Sequence, residues 1–146
     1  GDNELRPGPA GADRPSGFDF DVCVVGTGRV GLPLALSFMD VGLRVTGVDR
    51  EPAIRAAVSE GRMPWLEPGY DELISRRELV VGEDPAVTAR ARFVVITVGT
   101  PLHWHVESDL GQVQAVLEAI GPHLRYDAQL ICALPNQNLH GVPDLQ

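Results

Sequence analysis

The chain has 146 residues, the length of one domain, and 44% of them are hydrophobic, enough to build a core. Its formal net charge of −8 speaks against a nucleic-acid partner, and no run of 18 apolar residues offers a membrane span. All twelve basic residues are arginine. The two cysteines, Cys23 and Cys132, sit in apolar strand-like runs and read as buried small hydrophobes, not as a disulfide, which points to a reducing cytoplasm.

Residues 1–17 are rich in Gly, Pro and charge, with Leu5 the sole large apolar side chain, so they are expected to be a disordered tail. Without an apolar core segment they do not read as a secretory signal, and the chain opens on Gly1 without a methionine, as a processed or excerpted piece would. A strand is predicted over 21–25 and a helix over 29–40, with Pro33 in its first turns and Gly42 as its stop. A second strand covers 44–48, and a helix follows over 51–60. An irregular loop spans 62–69, then come a short helix over 70–77, a third strand over 79–81 and a turn or two of helix over 85–90. The run 92–98 is apolar enough for the centre of a parallel sheet. A loop over 103–109 leads to a helix over 110–124, whose Val113, Val116, Leu117 and Ile120 mark a core face. A last strand covers 130–134, and 135–146 form an irregular tail. Strands alternating with helices give an α/β, Rossmann-like, doubly wound parallel sheet over 18–134, in the order 3-2-1-4-5 and truncated after the fifth strand. The strand at 130–134 then becomes an apolar edge, open to self-association.

The first strand runs straight into Gly26-Thr27-Gly28-Arg29-Val30-Gly31, a Gly-x-Gly-x-x-Gly turn. Gly26 permits the tight turn, Gly28 leaves bare backbone for a pyrophosphate to approach, and Gly31 lets the helix pack close to the sheet. The helix N-terminus offers free N–H groups and positive dipole charge. Asp49 ends the second strand, where a carboxylate accepts hydrogen bonds from the hydroxyls of an adenosine ribose and repels a 2′-phosphate, so NAD is read before NADP. Arg50 pulls the other way, since arginine also receives a 2′-phosphate. FAD and S-adenosylmethionine proteins use similar turns, and a plain α/β domain without ligand is the blander reading. Two histidines, His103 and His105, make a poor zinc pattern and read as a solvated loop, so no metal site is expected. Glu67 is either a loop-pinning carboxylate or a site residue, and Trp65 is expected to pack rather than stack on a ligand.

The motifs together resemble the NAD-binding domain of the nucleotide-sugar 6-dehydrogenase family, which includes UDP-glucose, GDP-mannose and UDP-N-acetylmannosamine dehydrogenases. The resemblance runs from residue 21 to 134. It rests on the stretch 25–35, on Gly47-Val48-Asp49, on Leu66-Glu67-Pro68-Gly69-Tyr70 and on Ile96-Thr97-Val98-Gly99-Thr100-Pro101. Pro33 and the region of Asp109 fit the N-acetylmannosamine type best. The resemblance implies that Gly26, Gly28, Arg29, Val30 and Gly31 carry the pyrophosphate contact, mainly through backbone N–H groups. It places Asp49 at the adenosine ribose, and Gly99 and Thr100 near the nicotinamide-side ribose. Three departures stand out. Most members have an aromatic residue where Arg29 stands, and a family lysine falls on Ile54, with Arg55 one place later. Pro135-Asn136-Gln137-Asn138-Leu139-His140-Gly141 replaces a Ser-Thr-Val-x-Pro-Gly-Thr run and removes part of the nicotinamide pocket.

The family oxidises a sugar C6 alcohol to a carboxylate with two NAD molecules, through a thiohemiacetal on a cysteine assisted by a lysine, all further along the chain. This sequence has no lysine. Cys23 precedes the glycine turn, and Cys132 has no nearby base, so no catalytic residue is assigned. The expectation is a domain that binds NAD and is inactive alone, with a UDP-sugar as partner only in the full-length setting. The alternative is a non-catalytic dinucleotide-binding module or a remnant. A different Rossmann enzyme, such as a methyltransferase, fits Asp49 and Gly99-Thr100-Pro101 less well.

Overall fold

The computed structural model describes residues 17–76, 78–97 and 106–133. The tails over 1–16 and 135–146, the loop residues His103, Trp104 and His105, and the two candidate residues Gly99 and Thr100 lie outside the described residues. Short apolar runs form the strands Phe20–Val25 (β1), Val45–Val48 (β2), Val81–Gly82 (β3), Ala91–Thr97 (β4) and Gln129–Ala133 (β5). Between them come the helices Gly31–Asp40 (α1), Pro52–Ser59 (α2), Asp71–Arg76 (α3) and Val106–Ile120 (α4), with 3-10 turns over Pro85–Arg90 and Gly121–His123. All strand pairs are parallel, in the order β3-β2-β1-β4-β5, as the alternation of elements predicts. The strand order reverses at β1, between β2 and β4, and such a switch point opens a crevice at the carboxyl ends of the strands.

Alternation along the strands divides the core between the two faces. Val22 and Val24 pack with Val95 against Leu32 and Leu36 of α1 and Leu73 and Ile74 of α3. Cys23 and Val25 pack with Val94, Ile96 and Ile120, and Val113, Val116 and Leu117 of α4 close over them. Covered on both faces, β1 and β4 need near-continuous apolar sequence, which Val22-Cys23-Val24-Val25 and Val94-Val95-Ile96 supply. Each such side chain, fully buried, contributes about 1.5–3 kcal/mol. At the opposite edge of the sheet the buried carboxylate of Asp21 ties β1 to the start of β2. It accepts from the Arg44 backbone N–H at 2.8 Å and from the guanidinium at 3.0 Å.

Three sequence expectations shift. The ladder of β3 uses Val81 and Gly82 opposite Gly47 and Val48, while Leu79, expected within the strand, turns its side chain into the core. The last long helix ends at Ile120, because Pro122 lacks an N–H to continue it, and it starts at Val106 instead of near 110. Cys132 is exposed, not buried: among the described residues β5 is an edge strand, and its residues 129–132 are all exposed. Among the described residues no helix is long and apolar enough to cross a membrane.

Burial pushes the Cys23 thiol up to about 12 from 9.0. The unfolded chain ionises that thiol first as pH rises. Its contribution to stability is therefore complete below pH 9 and is lost progressively between 9 and about 12. At pH 8 a chromogenic disulfide reagent should label Cys132 at once and Cys23 only when the fold opens. Equal, rapid labelling of both thiols would contradict the burial of Cys23.

Candidate functional site

The turn leaving β1 is held from several directions. The Gly26 N–H donates to the Val48 carbonyl at 2.8 Å, and the Thr97 hydroxyl donates to the Gly26 carbonyl at 2.5 Å. Gly26 adopts φ 93°, and a Cβ there would meet the Thr97 carbonyl. Gly31 is buried, and a Cβ on it would collide with the Gly26 carbonyl. Both glycines are therefore packing requirements of the turn. Gly28 differs: a Cβ there would meet nothing within 4 Å and would project into open space.

The start of α1 follows directly. Leu32 donates to the Gly28 carbonyl at 2.9 Å and Leu34 to that of Val30 at 3.2 Å. Among the described residues no backbone carbonyl takes the N–H groups of Gly28, Arg29 or Val30, and no side chain caps the helix. The neighbouring starts are satisfied by their own carboxylates: Glu51 accepts from Ala53 at the head of α2, and Asp84 from Ala86 at 2.9 Å in the 3-10 turn. Unlike these two, the start of α1 keeps both its amides and its dipole charge for something else.

Asp49, at the end of β2, reaches back to this turn. One carboxylate oxygen accepts from the Thr27 N–H at 2.7 Å and the Thr27 hydroxyl at 2.9 Å, and the other accepts from the Glu51 N–H at 2.9 Å. A carboxylate has about four acceptor sites, so one is left for a ligand hydroxyl. The guanidinium of Arg55 donates to the Asp49 carbonyl at 2.9 Å and pairs with Glu83 at 3.5 Å. In front of these groups lies a cleft of about 780 Å³, within the range of ligand sites. Gly26, Gly28, Arg29 and Val30 line one side, and Val48, Asp49 and Arg50 another. Gln112, Ala115 and Val116 of α4 close it.

Six of the nine sequence candidates thus meet at one cleft, Gly26, Gly28, Arg29, Val30, Asp49 and Arg50, and Gly31 supports them from below. Sequence reasoning missed Thr27, which is fully buried, and Thr97, Glu83 and the α4 wall. Thr97 had a signal: it is the hydroxyl that ends an apolar strand, one step beyond the Val25–Ile96 pair. The others depend on contacts distant in sequence. Glu67 takes the loop-pinning role, accepting from the Trp65 indole N–H at 2.9 Å, and Trp65 packs on the core. The cleft fits a dinucleotide on its own terms: bare backbone at Gly28, unmet amides above it and a carboxylate at the end of β2.

A model of the UDP-glucose/GDP-mannose dehydrogenase family, NAD binding domain, matches residues 20–133. UDP-glucose 6-dehydrogenase of Pseudomonas aeruginosa is 37% identical over 109 residues, which is 71% of this chain and 24% of that protein. UDP-N-acetyl-D-mannosamine dehydrogenase of Campylobacter jejuni is 30% identical over 71% of this chain and 26% of its own length. The chain thus spans about a quarter of the length of these curated relatives. Among solved structures, a UDP-glucose dehydrogenase from Pyrobaculum islandicum superposes with a TM-score of 0.69 and 28% identity, over 85% of this chain and 31% of that one.

Gly31→Ala should destabilise the fold by about 3 kcal/mol or more, since backbone lies where the methyl would go, while Thr97→Val should remove about 1–2 kcal/mol by orphaning the Gly26 carbonyl. Urea unfolding measures both, and a Gly31→Ala chain as stable as its parent would contradict the packing described.

Proposed function

The chain belongs to the UDP-glucose/GDP-mannose dehydrogenase family as its NAD-binding domain, and from that premise we propose how its residues divide the work of holding NAD. The diphosphate lies over Gly28, on the N–H groups of Gly28, Arg29 and Val30 and the positive end of α1. Asp49 accepts from the adenosine ribose through its remaining acceptor site, with Arg50 flanking it. Gly99 and Thr100 serve the ribose on the nicotinamide side. The observation that carries this reading is the uncapped start of α1 above an unobstructed glycine. Bound NAD supplies a hydride acceptor, and the chain's own residues orient it and keep its diphosphate out of bulk water.

The larger reaction, oxidation of a nucleotide-sugar C6 alcohol to a carboxylate, needs a nucleophile and a base beyond these 146 residues. The sequence has no lysine, the Cys23 thiol is buried with its pKa raised, and Cys132 stands on the β5 edge. The chain alone therefore binds NAD without oxidising sugar. Its two free cysteines suit a cytoplasmic setting, and its net charge of −8 suits neither nucleic acid nor an anionic membrane surface. At the far side of the sheet, Leu130 and Ile131 are 41% and 46% exposed on a strand with no outer neighbour among the described residues, which supports pairing with a second copy of the chain.

Gly28→Ala separates binding from folding. Its stability should stay within about 0.5 kcal/mol of the parent, since nothing in the fold opposes the methyl. Calorimetry should show NAD affinity reduced by roughly tenfold or more, a change of about 1.4 kcal/mol; unchanged affinity would refute the proposed diphosphate position. NAD should bind more tightly than NADP, and Asp49→Asn should narrow that difference by removing the charge that repels a 2′-phosphate; tighter binding of NADP to the parent would refute the role of Asp49. Sedimentation should show a concentration-dependent dimer that Ile131→Lys abolishes, and a monomer at all concentrations would refute pairing at β5.

A further inference from the structure

Arg29 is an unusual cation in this cleft. It is exposed, lines the cleft beside Gly28, and has no carboxylate at ion-pair distance among the described residues. Its guanidinium carbon sits 5.2 Å from the centre of the Trp65 ring. Trp65 is itself fixed, packed on the core and tied through its indole N–H to Glu67. The other arginines near the cleft are placed differently: Arg55 is held by the Asp49 carbonyl and Glu83, and Arg50 lies at the β2 end.

We propose that the Arg29 side chain is a second ligand for the diphosphate, at rest on the face of Trp65, which it leaves when the anion arrives. This rests on the diphosphate position proposed above and adds a side-chain partner to the backbone amides. An exposed cation–π contact is weaker than a charge-assisted, bidentate guanidinium–phosphate pair, so the exchange of partners runs toward the anion. It needs no backbone movement, because Arg29 belongs to the turn that forms the cradle. Trp65 then loses the charge over its ring and reports the event optically.

The test uses the full chain carrying Trp104→Phe, which leaves Trp65 its only tryptophan. ADP-ribose and adenosine are the probes, followed by calorimetry and by tryptophan emission. ADP-ribose should change Trp65 emission with the midpoint that calorimetry gives, and adenosine should leave it unchanged. Arg29→Gln should weaken ADP-ribose by about tenfold and abolish the emission change, with adenosine affinity unaltered; Arg29→Lys should recover part of the loss. If ADP-ribose binds the Arg29→Gln chain as tightly as its parent, or moves Trp65 emission equally in both, the side-chain role is wrong while the cradle stands. If ADP-ribose and NAD both fail to bind the parent, the cradle falls and the role of Arg29 with it.

Discussion

The Gly26 carbonyl decides the geometry of the carboxyl edge of the sheet. The Thr97 hydroxyl donates to it from β4, and Gly31 presses against it from the first turn of α1. A chain leaving β1 can satisfy both only by turning sharply at φ 93° and bringing the helix back close to the sheet. That path leaves open space beside Gly28 and leaves the N–H groups of Gly28, Arg29 and Val30, which line the cleft, without a partner among the described residues. Asp49 fixes the turn from the other side by taking both the N–H and the hydroxyl of Thr27. The turn is thus held by contacts within the protein itself, and a turn so fixed leaves little reorganisation for a ligand to impose.

The two sides of the cleft carry different chemistry. Around Gly28 and the head of α1 the charge is positive, from the α1 dipole and Arg29. Toward β2 and β3 the carboxylates of Asp49 and Glu83 dominate, with Arg55 held between the Asp49 backbone carbonyl and Glu83. The Arg55–Glu83 pair is largely exposed on its acidic partner, so its worth lies in holding Arg55 in place more than in stability. Such a division suits a ligand with a central diphosphate and a neutral, hydroxyl-rich sugar at one end.

Much of this was legible in the sequence, because the code for a doubly wound sheet is local. Val22-Cys23-Val24-Val25 and Val94-Val95-Ile96 read as strands buried on both faces, and short connections with right-handed crossovers leave few strand orders. The cleft followed, since Gly26, Gly28, Gly31 and Asp49 obey a fixed spacing. Contacts between residues far apart in sequence were not legible. Thr27 is 22 positions from Asp49 with nothing local marking the pair, and Thr97, although it ends an apolar strand, is 71 positions from its partner Gly26. Cys132 misled because an apolar run reads as buried, whereas the edge position of β5 leaves it exposed. The start of α4 misled in the other direction: 103–109 reads as a loop before a helix near 110, but the helix already begins at Val106.

The central claim is that a dinucleotide's diphosphate sits on the bare amides ahead of α1. A nitrogen-15 correlation spectrum of the labelled chain, titrated with NAD, tests it most directly. The amide signals of Gly28, Arg29 and Val30 should shift most, saturating together, while those of Gly42 and Gly61, away from the cleft, should stay in place. Saturating NAD that leaves these three amides unmoved, or shifts a different helix start instead, would contradict the account.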